Sequence, residues 1–198
     1  MEDAASPGPT DETLMERVQA GDEPALGVLM ARWEGPLKRF LYRLLFNPAE
    51  AEDLAQETCV KLFLHRAQYR RGAAFSPWVL TIAANLARNR RRWWHRHPTQ
   101  SLTVLTEDGA SRTWEPADPA AGPAEQAQAG EHAIVVRAAV AALPHELREV
   151  VVLAEYEGKS HAESAAVLGC SAKAVEMRLY RARERLRKSL APLLRRRK

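Results

Sequence analysis

Along the segment FSPWVLTIAANLARNRRRWW, Trp78, Thr81, Asn85, Arg88, Asn89 and Arg92 recur at intervals of three and four, the spacing of one helix face. On such a face a ring stacks, amides read base edges and guanidinium groups hold phosphate, which is what unpaired nucleic-acid bases need. Trp78 taken alone is open to two readings, base contact or core packing. A second set, Lys173, Glu176, Met177, Tyr180 and Arg181 with Arg183, Arg185 and Arg187 beyond it, lies opposite an apolar stripe of Val175, Leu179, Ala182 and Leu186. A helix with that back and that front suits a major groove. Glu50, Glu52, Asp53 and Glu57 share a further helix; grouped carboxylates could serve a nucleic-acid-processing enzyme, but a solvated or partner-facing surface accounts for them better. His95 and His97 have no further metal ligand near them in sequence. There is no P-loop, dinucleotide-binding glycine loop or nucleophile elbow. The chain is therefore expected to have no catalytic residues, no metal and no cofactor, and not to be an enzyme.

The elements that must position these residues carry their own signals. Ser160 with Glu163 three residues on is a capping box. Ala162, Ala165, Ala166 and Leu168 give that helix a small apolar face, Gly169 stops it, and Ser171 caps the next. Two short helices around such a turn form a helix-turn-helix. Asn47-Pro48 with Glu50 opens a helix expected to run to about Tyr69, its core side Ala55, Cys59, Leu62, Phe63 and the stem of Arg66. Its other face carries Asp53, Gln56, Glu57, Val60 and Lys61. Ser76 is the expected cap of the Trp78 helix, with Pro77 at its first position and Val79, Ile82, Ala83 and Leu86 buried. Between Asp11 and Phe46, Gly21-Asp22 and Gly35-Pro36 interrupt the helical pattern, so two or three helices are expected there.

The 198 residues carry a net charge of +4 that is unevenly placed. From Thr58 to Thr106 there is no acidic residue, and a second basic block runs from Arg178 to Lys198. Two separated basic surfaces point to one long polyanion held at two places. Two cysteines, Cys59 and Cys170, read as small core groups in a reducing compartment. The acidic, Pro-containing start is unlike a signal peptide, no apolar run approaches membrane-spanning length, and a cytoplasmic protein is expected. The expected division is a disordered start at 1–10, a helical domain at 11–97, an acidic Pro/Ala-rich linker at 98–130, a helix-turn-helix domain at 131–190 and a basic tail at 191–198. Trp114 stands out in the linker as a docking spot for a partner or neighbouring domain. The fold class is all-α, two small helical domains joined by a flexible linker.

The blocks AEDLAQETCVKLF, FSPWVLTIAANLARNRRRW and LPHELREVVVLAEYEGKSHAESAAVLGCSAKAVEMRLYRARERLRK resemble, in order and spacing, those of bacterial sigma-70 family factors of the extracytoplasmic-function group. The resemblance covers about residues 11–97 and 131–190. It implies a first domain that binds core RNA polymerase, through Asp53, Gln56, Glu57 and Val60 against the clamp coiled coil of the largest subunit. It also implies a promoter −10 surface made by the loop from Arg71 to Phe75 together with Trp78, Asn85, Arg88, Asn89 and Arg92. Val79 stands where housekeeping members carry the second residue of an aromatic pair, a departure that bears on any wedge role for Trp78. The second domain would read the −35 element with Lys173, Glu176, Met177, Arg178, Tyr180 and Arg181. Glu176 and Met177 depart from the small polar or basic residues of many relatives, which implies an altered −35 preference, since Glu accepts from a cytosine amino group and Met touches a thymine methyl.

The function so implied is promoter-specific transcription initiation, with promoter opening and control by an anti-sigma factor. A linker of about 33 residues reaches roughly 110 Å, against roughly 55 Å for a turn and a half of duplex. The competing reading is a self-sufficient dimeric helix-turn-helix regulator, which leaves the first basic block poorly explained.

Overall fold

The computed structural model describes residues 8–97 and 123–192, with the side chains of 123–131 left aside. The start at 1–7, the linker stretch 98–122 with Trp114, and the tail 193–198 lie outside the described residues. Among the described residues there is no strand: helices are joined by turns and short irregular segments.

Helix α1 (Asp11–Gln19) starts on Thr10, whose side chain accepts from the Thr13 N–H. Gly21, at φ +91°, turns the chain, and Asp22 caps α2 (Glu23–Leu45) by accepting from the Ala25 N–H. The interruption expected at Gly35-Pro36 does not occur: Pro36 lies inside α2. Proline there forfeits a main-chain bond and crowds the preceding turn. Packing overrides it, because Leu29, Leu37, Phe40, Leu41 and Leu44 are all buried on the two sides of the interruption.

Asn47 caps α3 (Pro48–Leu64), its side-chain oxygen accepting from the Glu50 N–H. The helix stops at Leu64 rather than near Tyr69, and one 3₁₀ turn follows at Arg66–Gln68. Its buried side is Ala51, Leu54, Ala55, Thr58, Cys59 and Leu62. Phe63 and Arg66, expected in the core, are outside it: Phe63 is 39% exposed and the Arg66 guanidinium lies over its ring. Helix α4 (Phe75–Arg96) is not capped by Ser76. Its N-cap position is Ala74, and the Phe75 N–H donates to Glu12 Oε1 of α1.

Helix α5 (Pro123–Ala141) begins inside the stretch expected to be linker. Proline at the first position, then Ala, Glu and Gln, is good helix-forming sequence, which an apolar-stripe criterion overlooks. A corner at Leu143-Pro144 leads to α6 (His145–Val151), which passes into a π-helical stretch, Val152–Tyr156. The capping box forms as expected at the start of α7 (His161–Leu168), Gly169 takes φ +64°, and Ser171 caps α8 (Ala172–Ser189). The buried side of α7 is Ser164, Ala165, Val167 and Leu168; Ala162 and Ala166 face outward.

The two halves pack directly on each other, chiefly where α7 crosses α4, and the buried apolar cluster runs through both. Arg148 of α6 is a second tie. Its guanidinium donates to Leu44 O (2.7 Å) at the end of α2 and to Leu143 O (3.1 Å), and lies over the Phe46 ring. Phe46 itself ends α2 in the left-handed region, at φ 53°. A third tie joins Arg43 to Glu157 at 3.4 Å; burial raises the Glu157 carboxyl above its ordinary range despite Arg43.

Candidate functional site

Three helical surfaces carry the residues singled out above. On α3, Asp53, Gln56 and Val60 are exposed and Glu57 is half-buried, with its carboxylate 3.6 Å from Lys61 Nζ. The face continues to Leu64, 65% exposed, and Phe63. The expected polymerase-contact set ends at Val60, although 53, 56, 57, 60 and 64 continue one helical repeat. The result is an acidic and amide rim beside exposed apolar side chains, the make-up of a helix-docking surface. The other carboxylates of α3 do not converge: Glu50 pairs with Arg90 and Glu52 with Lys38.

On α4, Val79, Leu80, Ala83, Ala84, Leu86 and Ala87 face the core. Asn85, Asn89 and Arg92 are exposed along one stripe, and Arg92 donates to Asn89 Oδ1. Arg88 lies on the same side but is turned toward the second half of the molecule. Arg90 is tied to Glu50 on α3, so it is not part of the nucleic-acid stripe.

Two members of the expected strand-reading set sit in an aromatic cluster instead of on the open stripe. Phe75 is fully buried, edge-on to Trp33 at 5.4 Å and to Tyr69 at 6.2 Å. This corrects its expected role as a direct DNA contact: Phe75 supports the loop before it. Trp78 is half-buried, with its ring 5.3 Å from that of Tyr69 and 6.0 Å from that of Phe75. The loop remains open at Arg71, and Gly72 at φ +76° makes its turn. The Tyr69 hydroxyl donates to Ala73 O and closes the loop base.

Trp93 is a residue that sequence reading missed. It is 47% exposed, follows Asn85 and Asn89 at a spacing of four, and stacks on His97 with ring centroids 5.0 Å apart. Asn89, Arg92, His95 and Arg96 line a shallow open depression on the same helix. A flat ring among guanidinium groups is a stacking platform for a base. The repeat of four that joins Asn85 to Asn89 would have found it.

On α8, Val175, Leu179 and Ala182 are buried, and Lys173, Glu176, Met177, Tyr180 and Arg181 are exposed on the opposite side. Lys173 Nζ bonds Glu176 Oε2 at 3.0 Å, and Tyr180 is 63% exposed. Arg178 stands off this face, half-buried and 3.9 Å from Glu146 of α6. Among the described residues no group of three or more His, Cys, Asp or Glu is placed to hold a metal ion, and no helix is long and apolar enough to cross a membrane.

Two family models match the chain: Sigma-70 region 2 over residues 29–95 and Sigma-70, region 4 over residues 134–186. The RNA polymerase sigma-H factor of Pseudomonas aeruginosa is 33% identical over 186 residues, covering 93% of this chain and 96% of that protein. The ECF RNA polymerase sigma-E factor of Escherichia coli strain K12 is 29% identical over 187 residues, covering 94% and 97%. Among solved structures, CnrH in complex with the cytosolic domain of CnrY is similar at TM-score 0.65 and 27% identity, over 92% of this chain and 97% of that one. The sigma factor RpoE in complex with the anti-sigma factor NepR from Bartonella quintana gives TM-score 0.63 at 25% identity, over 82% of this chain and 94% of that one.

Proposed function

Since this chain belongs to the extracytoplasmic-function group of the bacterial sigma-70 family, we propose that it gives core RNA polymerase its promoter specificity through the three faces described above. The α3 face of Asp53, Gln56, Glu57 and Val60, extended to Leu64, docks on the polymerase clamp. The α4 face of Asn85, Asn89 and Arg92, with Arg88 and Trp93, holds the melted −10 strand, and Arg71 in the preceding loop attracts its backbone. The α8 face of Lys173, Glu176, Met177, Tyr180 and Arg181 reads the −35 duplex. Residues 11–97 serve as the first of two domains and the second begins near residue 131. The protein acts in the cytoplasm and catalyses no step of its own.

The observation that carries this reading is the pairing of two different nucleic-acid surfaces on one chain. An amide–guanidinium–indole stripe on α4 suits splayed bases, and a capped helix α8 with an open polar front suits a major groove. A simple duplex-binding regulator has use for the second surface only. Strand capture stabilises a melted promoter because extruding a base costs a few kcal/mol, which stacking and edge hydrogen bonds offset. The relatives CnrH and RpoE are found in complexes with CnrY and with an anti-sigma factor, NepR. By that likeness an anti-sigma factor controls this chain too, covering the polymerase-docking face.

Run-off transcription with purified core polymerase tests the reading. The wild-type chain is expected to initiate on a subset of promoters of its own genome, and Gln56→Ala/Glu57→Ala to lose that activity. No initiation on any such promoter by the wild type would overturn it.

A further inference from the structure

Helix α1 reaches across the first half of the molecule to the loop that precedes α4. Gln19, its last residue, is half-buried and donates from Nε2 to Arg66 O at 2.8 Å and to Tyr69 O at 2.7 Å. Both partners are carbonyl oxygens, so an amide NH2 with its two hydrogens suits them together. They lie at the start of the 3₁₀ turn and just past its end, where main-chain oxygens need donors from outside the helix. From Tyr69 the same run of bonds enters the loop. The Tyr69 ring is buried beside Phe75 and Trp78, and its hydroxyl donates to Ala73 O. The Ala73 N–H donates back to Arg70 O at 3.1 Å, closing a turn in which Gly72 takes φ +76°. On the far side the Phe75 N–H ends on Glu12, a second residue of α1. Arg70, Arg71, Ala73 and Ala74 stay exposed on this turn.

We infer, resting on the strand-binding reading of α4 and its loop, that Gln19 is a positioning residue for strand capture: acting through Tyr69, it holds the turn at 70–74 in its receiving shape before DNA arrives. A loop that has to be ordered on binding loses backbone entropy at each residue, and a turn already set avoids that loss. The turn presents two guanidinium groups for phosphate and two methyl side chains beside them, a surface suited to a nucleotide whose base has left the stack. The Gln19 amide faces main-chain oxygens behind the turn, so its effect on DNA passes through the shape of the loop. Glu12 sets the exit of the loop and Gln19 its entry, which makes α1 a brace for a surface it does not itself form.

The test uses the full chain bound to core polymerase. Its probe is the labelled non-template −10 single strand of the promoter with the highest run-off yield. Gln19→Leu keeps most of the side-chain bulk and removes both donors. Tyr69→Phe keeps the aromatic packing, removes the hydroxyl on Ala73 O, and serves if Gln19→Leu does not fold by circular dichroism. Fluorescence anisotropy reads affinity for the intact strand and for strands with one abasic site moved through the sequence. Wild type is expected to lose about tenfold at each base held, on the α4 stripe or in the loop. The variant is expected to bind the intact strand about tenfold more weakly, with core-polymerase binding kept. At one of those positions, the loop base, its abasic loss should shrink to about twofold, the others staying at wild-type size. Equal losses in variant and wild type at every abasic position, as a merely structural role gives, would overturn the inference. So would an unchanged intact-strand affinity in the folded variant, or a wild type indifferent to every abasic site. No run-off transcription by the wild type would overturn the sigma-factor reading and this inference with it; with run-off present, anisotropy alone decides the role of Gln19.

Discussion

The backbone N–H of Phe75 donates to the carboxylate of Glu12 at 3.0 Å, across 63 residues of sequence. Helix α4 therefore receives its N-terminal acceptor from α1, and the loop from Arg71 is anchored at its far end by a residue of the first helix. That bond is the largest cause holding the Glu12 carboxyl below its ordinary value of 4.5. A carboxylate depressed in the folded state stabilises fully above the unfolded value, and its contribution is lost as pH falls through the folded one. Glu12→Ala is expected to cost about 1 kcal/mol, as the loss of a helix cap does, seen as a Tm lower by about 2–4 °C. The acid limb below about pH 4.5 should become shallower, because wild type alone loses the bond there. Thermal melts of both proteins from neutral to acid pH check this.

Leu64 is the most exposed large hydrophobic residue of α3 and continues the Asp53–Val60 repeat. Leu64→Asp places a charge in the apolar part of the proposed polymerase contact and is expected to weaken core binding about tenfold or more. The helix end is exposed, so the melting curve should stay within a degree or two of wild type. Native gel shift with core polymerase, beside the melt, separates a docking defect from a folding one.

Asn85 and Trp93 bracket Asn89 on the open stripe. Alanine at either position is expected to lower open-promoter formation about tenfold, the size of one lost base-edge or stacking contact, while core binding holds. Permanganate reactivity of unpaired thymines in the complex reads this directly. Trp93→Phe should keep most of the signal, since a ring that only stacks is replaceable by another ring.

Glu176 is held by Lys173 at 3.0 Å on the open face of α8. Glu176→Ala removes an acceptor suited to a cytosine amino group and frees Lys173 for phosphate or guanine. The expected result is a change of base preference at one −35 position by about tenfold, with slightly tighter binding elsewhere. Selection of −35 sequences by wild-type and variant holoenzyme would show the same preferred base at every position if Glu176 takes no part in reading.

Local signals and long-range ones separate cleanly in this chain. Asn47-Pro48, Ser160 with Glu163, Gly169 and Ser171 each place a helix end where it is found, because a cap is satisfied within four residues. The exposed stripes of α3, α4 and α8 follow equally from spacing of three and four. Pro36 misleads because burial on both sides of it outweighs one lost main-chain bond. The start of α5 is missed because Ala- and Gln-rich sequence propagates helix without an apolar stripe. Nothing local marks Phe75 as core rather than contact, or Glu12 as its cap. The Arg88 and Arg148 ties are likewise invisible: each looks like one more surface arginine until the other half of the chain is folded against it.

The aromatic knot of Trp33, Tyr69, Phe75 and Trp78 has an optical counterpart. Every tryptophan of the chain lies before residue 115, and none falls in the helices from α6 onward. Four of the five, Trp33, Trp78, Trp93 and Trp94, belong to residues 11–97 and the fifth is Trp114, so in a Trp114→Phe background indole emission reports the N-terminal half, whereas far-ultraviolet dichroism records both. Coincident denaturation curves from the two signals would mark a single cooperative unit, and separated midpoints would give each half its own stability without any added label.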